Sequence, residues 1–191
     1  MSSKIVLSFA NNAGGTVFVH VFRNKLMRAL NFYDENDIYL DNVACRSAGD
    51  SRYWGLDKRE SKGDQGGGYT IGVSNEHWEA MWGAAVDTAK AIILILTKDY
   101  TISEPCQKEF ETIKKVLNAK RDLSLIILDM GPEDLQQFVP AHLRDDAKCL
   151  YLKMQRTEIS EQMKRIFQHS FDLTPEGYQL LLDALSNAGV R

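Results

Sequence analysis

The sequence predicts an α/β fold, doubly wound around a five-stranded parallel sheet with helices on both faces. Three observations carry this prediction. Short apolar runs recur at residues 4–9, 38–41, 91–96, 123–130 and 148–153, with segments of helical period between them. Strands that alternate with helices form βαβ units, whose crossovers set parallel strands side by side. The runs AIILIL at 91–96 and LSLIILDM at 123–130 are the most apolar and lack the alternation of a strand with one wet face. Helices must therefore cover both of their sides. The length of 191 residues, 44% hydrophobic and 26% charged, suits one domain over 1–191 that buries its core without disulfides.

Each element has its own signal. Residues 4–9 (KIVLSF) read as a buried first strand. Residues 16–31 read as a helix with Phe18, Phe22, Leu26, Ala29 and Leu30 on one stripe. IYLD at 38–41 is a short strand. Residues 42–76 break the rhythm with about 35 residues rich in Gly, Ser, Asp and Arg, including Gly66, Gly67 and Gly68 in a row. A connection this long is uncommon in a compact domain and reads as a functional lid or a solvated insertion. Residues 77–89 are helical despite Gly83, and 91–96 are a strand. Residues 103–118 form a helix with Ser103 as N-cap and Pro105 in the first turn. Residues 123–130 and 148–153 are the last two strands. Residues 157–170 read as a helix with Ile159, Met163, Ile166 and Phe167 inward. A final helix at about 174–189 starts at Thr174-Pro175 and stops near Gly189.

Charge and cysteine usage exclude several classes. Lys plus Arg number 23 and Asp plus Glu 26, for a formal net charge of −3. Duplex binding needs a clustered basic excess. The densest charged stretch, residues 52–64, mixes four basic with three acidic side chains, so no nucleic-acid partner is expected. Cys45, Cys106 and Cys149 are odd in number, far apart and form no CxxC, which suits a reducing cytoplasm and disfavours structural zinc. The start MSSKIVLSFANN lacks the apolar core and cleavage site of a signal peptide. No apolar stretch approaches 18 residues, so no membrane partner is expected.

Ligands of doubly wound sheets sit outside the carboxyl ends of the strands. That directs attention to residues 9–15, 41 onward, and 97–109. Neither Gly14-Gly15 nor GDQGGGYT matches a GxGxxG or Walker loop, and no GK[ST] occurs, so a Rossmann dehydrogenase or P-loop NTPase is disfavoured. His77-Trp78-Glu79 and Pro105-Cys106 echo the H-x-E…P-C-x-x-C of zinc deaminases, but Glu109 stands where the second thiolate belongs. On a wheel of ~100° per residue, Phe110, Ile113 and Leu117 lie within roughly 40° of Cys106, forming a buried stripe. Glu109 falls about 60° away at the stripe's border, while Lys108 and Lys115 point outward. A carboxylate there, near a helix start after a central strand, is partly desolvated and favoured by the helix dipole. It is either a rim Glu paired with a base or a working carboxylate.

Several pieces, in order, resemble the TIR (Toll/interleukin-1 receptor) domain family over nearly the whole chain. KIVLSFA at 4–10 is similar to the first TIR box, and IYLD at 38–41 to the second strand, which opens into the variable BB loop, here about 42–76. AKAIILILTKDYTISEPCQKEF at 89–110 resembles the strand, the Ser/Thr-x-x-Tyr turn and the C-x-x-E helix start. IILD at 126–129 and VPAHL at 139–143 resemble the fourth strand and the segment after it. The resemblance implies a flavodoxin-like sheet. In the enzymatic branch it implies cleavage of the nicotinamide–ribose bond of NAD, as substrate and with no permanently bound cofactor. Glu109 falls on the catalytic position. Phe9 then either offers a ring to stack on a base or nicotinamide or is a core aromatic, Ala10 and Asn11 line the loop after the first strand, Asp41 orders the BB loop, and Cys106 stands one turn before Glu109 as a packing residue. Trp78 and Trp82, spaced i and i+4, read as core.

Water attack on the ribose gives ADP-ribose, and intramolecular attack gives a cyclic ADP-ribose isomer. A stand-alone TIR protein of this size looks like the component of the bacterial Thoeris anti-phage system that makes a diffusible nucleotide for a separate effector. The family also implies self-association. Pro105 stands where the family often has a Trp, which removes an aromatic wall of the usual nicotinamide pocket. Two alternatives stand beside this reading: a non-catalytic TIR scaffold and, more remotely, a zinc-dependent deaminase.

Overall fold

A computed structural model of the protein describes residues 3–10, 13–40, 78–120, 122–131, 135–157 and 170–190. Strands β1 (Ile5–Phe9), β2 (Ile38–Tyr39), β3 (Ala91–Leu96), β4 (Ser124–Asp129) and β5 (Cys149–Lys153) form one sheet in the order β2-β1-β3-β4-β5. Every neighbouring pair is parallel. This is the flavodoxin-like order. The described helices are α1 (Ala13–Leu30), α2 (Trp78–Thr88), α3 (Lys98–Ile102), α4 (Glu104–Ala119), α5 (Ala141–Arg144) and α6 (Pro175–Asn187).

The pleat divides the core in two. Val6, Ile92, Leu94, Leu96, Leu125 and Ile127 face one side, against Trp82, Ala85 and Val86 of α2 and Cys106, Phe110, Ile113 and Leu117 of α4. Ile5, Leu7, Ile93, Ile95, Ile126 and Leu128 face the other, against Val19, Phe22, Leu26 and Leu30 of α1 and Leu181 and Leu185 of α6. All six residues of β3 are buried, which accounts for its uninterrupted apolar run. Each Ile or Leu there contributes about 1.5–3 kcal/mol of burial. The α4 stripe and the outward Lys108 and Lys115 stand as the wheel predicts.

Three expectations are revised. Ser103 is the N-cap of α4 but makes no side-chain capping bond, and Pro105 offers no N–H at the second helical position. The turn before it is a helix of its own: the Thr97 hydroxyl accepts from the Tyr100 N–H at 3.1 Å and starts α3. The helix expected over 157–170 does not extend to its ends. Thr157 and Ser170 belong to strands β6 (Gln155–Thr157) and β7 (Ser170–Asp172), which pair antiparallel with each other. Residues 158–169 lie outside the described residues, as do the long connection at 42–76 and the Gly cluster in it.

Two helices stop by the same device. Asn31 at φ 55° and Gly189 at φ 73° adopt the left-handed conformation just past α1 and α6. Phe32 then donates to the Met27 carbonyl at 2.8 Å, and Val190 to the Leu185 carbonyl at 3.0 Å, so both ends are Schellman motifs. A Cβ at Gly189 would meet no atom within 4 Å, so only the backbone conformation opposes a side chain there. Gly189→Ala is expected to cost about 1 kcal/mol, read as a lower urea midpoint with an unchanged m value.

Candidate functional site

The chain leaves β1 toward β2 on one side, while β3 pairs with β1 on the other. The carboxyl ends of β1 and β3 therefore flank the switch point of the sheet, where doubly wound folds open a crevice. Ser8 occupies β1 near that end. It is a buried polar residue, 1% exposed, in the strand IVLSF, and its place in the pleat turns it toward the α4 face. Tyr100 comes up from α3 and is 0% exposed. Glu109 comes from the second turn of α4, one turn after the buried Cys106, and is half-buried.

These side chains meet. The Ser8 hydroxyl donates to Glu109 Oε2 at 2.5 Å, and its oxygen lies 2.9 Å from the Tyr100 hydroxyl. The Cys106 thiol points at the Phe9 carbonyl, 3.7 Å away. Three elements, β1, α3 and α4, thus converge on one carboxylate at the switch point.

Burial sets the electrostatics. The Tyr100 phenol is held well above its usual value, first by burial and then by the charge of Glu109, with the Ser8 hydrogen bond opposing. The Cys106 thiol is pushed from 9.0 to about 11, mainly by burial and then also by Glu109, while Ser103 opposes. Cys149 is pushed to about 11 by burial and by Asp146. A raised thiol value favours the native state below pH 9 and loses that preference as pH rises from 9 to about 11. Both thiols are neutral at pH 8. Their alkylation by iodoacetamide in the native protein is expected to be at least about 10-fold slower than in urea-denatured protein, read by peptide mass mapping.

The expected site residues divide into three groups. Glu109, Cys106 and Ala10 share the α4 face of the sheet, and Ala10 is 6% exposed. Phe9 does not join them: its ring packs against the α1 face, and only its carbonyl reaches the site. The alternation of a strand forces this, since Ser8 and Phe9 must point to opposite sides. Asn11 and Asp41 lie outside the described residues. Trp82 is buried in the core beside α4 as expected. Ser8 and Tyr100 were not among the expected site residues. Their signal was a hydroxyl in an otherwise apolar strand and a Tyr in the turn after β3, since buried polar groups need partners.

The deaminase pattern gains no support. His77 lies outside the described residues, and among the described residues no group of three His, Cys, Asp or Glu side chains could hold a metal ion.

A second polar cluster stands at the end of β4. Asp129 is 0% exposed. Its Oδ2 accepts from the Tyr151 hydroxyl at 2.6 Å and from Lys153 Nζ at 2.8 Å, and its Oδ1 from the Gly131 N–H at 2.8 Å. With both oxygens engaged, this carboxylate ties β4 to β5. Two open surface depressions, of about 490 and 580 Å³, lie away from both clusters. One is lined by Lys4, Phe32 and Val190, the other by Glu104, Lys108 and Phe138. Neither is lined by Ser8, Tyr100, Glu109 or Asp129.

Fold and site together define a flavodoxin-like α/β protein with a carboxylate held at the switch point of its sheet. No protein-family model matches the chain, and no curated protein or solved structure matches it. Among the described residues no helix is long and apolar enough to cross a membrane.

Proposed function

We propose that this chain is a TIR-type enzyme that cleaves the nicotinamide–ribose bond of NAD, with Glu109 as the catalytic carboxylate. The observation that carries the reading is the Ser8–Glu109 hydrogen bond, which fixes an acidic group at the β1/β3 switch point. The TIR resemblance puts its catalytic residue at the same position. The chemistry suits a lone carboxylate. Nicotinamide is cationic in NAD and leaves readily as a neutral molecule, so little general acid is needed. The ribose left behind is oxocarbenium-like, as in glycoside hydrolysis. A fixed negative charge beside it stabilises that state.

The same reading extends to the product and the setting. An ADP-ribose-derived nucleotide, of the cyclic ADP-ribose type where water is excluded, would act as a diffusible signal to a separate effector in the cytoplasm of a bacterium under phage attack. Self-association belongs to the reading, because TIR enzymes complete their sites through neighbouring copies. The test is nicotinamide release from NAD by purified protein, with products separated by chromatography and mass. ADP-ribose reports hydrolysis, and a product lighter by one water reports cyclisation. No release at high protein concentration, nor in phage-infected extract, sinks the enzyme and leaves the non-catalytic scaffold.

A further inference from the structure

We infer that Tyr100 is a positioning residue for Glu109, acting through Ser8, so that the three side chains form a one-way hydroxyl chain. The inference rests on the reading of Glu109 as the working carboxylate and adds how that carboxylate is aimed.

Proton counting gives the direction. A serine hydroxyl has one hydrogen and accepts through its lone pairs. Ser8 spends that hydrogen on Glu109 Oε2. The 2.9 Å contact between Ser8 and Tyr100 is then a bond donated by the phenol. The chain runs from Tyr100 to Ser8 to Glu109. Both hydroxyl residues are sealed from solvent, at 0% and 1% exposure, so water does not compete for either bond.

The first member is held on three sides. The Thr97 hydroxyl accepts from its backbone N–H. Its ring meets Phe138 edge-on, with centroids 6.1 Å apart and planes at 85°. Phe138 in turn packs on Phe110 of α4, at 4.9 Å. Ser8 is pinned by its strand, in register with Leu94 of β3. A phenol fixed in this way selects which staggered position the Ser8 hydroxyl occupies, and that choice sends the serine hydrogen to Glu109. Burial and the neighbouring charge of Glu109 keep the phenol protonated, so the donor persists across the physiological range. Because Tyr100 is fully buried, it does not touch substrate, and its hydrogen-bonded route to Glu109 runs through Ser8.

Two measurements test this. In the first, nicotinamide release is followed for wild type, Tyr100→Phe, Ser8→Ala and the double variant. Each single change is expected to lower kcat roughly 10- to 100-fold with KM unchanged, and the double variant to be no worse than Ser8→Ala. A rise in KM at constant kcat, or losses that multiply in the double variant, overturns the chain. The second measurement needs no turnover. Tyrosine labelled with ¹³C at Cζ gives one signal for each of the seven tyrosines, and Tyr100→Phe assigns the one of interest. Its ionisation is expected well above the usual range in wild type and at lower pH in Glu109→Gln. An identical midpoint in the two proteins overturns the chain. Wild type that releases no nicotinamide overturns the proposed function, and the titration then decides the chain on its own.

Discussion

Replacing Glu109 by Gln is expected to lower nicotinamide release by at least about 10²-fold while leaving the thermal midpoint nearly unchanged. The two halves of this expectation have different origins. An amide has the shape of a carboxylate and still accepts from the Ser8 hydroxyl, so the contact across β1 and α4 survives. What it lacks is charge. The departing nicotinamide leaves positive charge on the ribose, and a neutral amide offers that state far less than a carboxylate fixed beside it. The same helix supplies a control. Glu104 is exposed and pairs with Lys108 at 3.0 Å on the outer face. Glu104→Gln should keep full activity. Equal turnover by Glu109→Gln and wild type would remove Glu109 from the chemistry.

The largest loss of stability from one polar change is expected at Asp129. Asp129→Ala should cost about 3 kcal/mol and lower the thermal midpoint by roughly 6–12 °C. The carboxylate has no exposure and takes three hydrogen bonds. Its removal leaves the buried Gly131 N–H and the Tyr151 hydroxyl without this acceptor. Lys153 suffers least, because its side chain is 48% exposed and keeps the Gly131 carbonyl at 2.8 Å. A surface pair gives the contrast. Lys25 and Asp172 sit 3.1 Å apart but about half-exposed, so Asp172→Ala should cost less than about 1 kcal/mol. Urea denaturation of both variants checks the ranking. A loss at Asp129 as small as that at Asp172 would mean that the cluster does not tie β4 to β5.

The fold was legible because its signals are strong and local. A strand such as AIILIL, buried on both faces, has few other places to go, and its bounds of 91–96 are those of β3. The α4 stripe was legible for the same reason, since Cys106, Phe110, Ile113 and Leu117 repeat at helical spacing. The β6–β7 pair was harder. Gln155, Arg156 and Thr157 are all exposed, so their strand form comes from pairing with distant residues and not from any pattern of their own. At the site, position gave Glu109, but its partner Ser8 lies 101 residues away along the chain. No local rule joins those two. Phe9 takes the core side of its two readings for a simpler reason: a strand ending in Ser-aromatic presents only one of the two to any given face.

The middle of the sheet has a consequence in the language of hydrogen exchange. β3 is paired along its length with β1 on one edge and β4 on the other, and none of its six residues is exposed. Amides in such a layer exchange with solvent only when the whole molecule unfolds, while edges and termini open at far lower cost. Ser8 belongs to that slowest layer through its register with Leu94. The edge strands can therefore fray while Ser8, the hydrogen-bond partner of Glu109, stays in place.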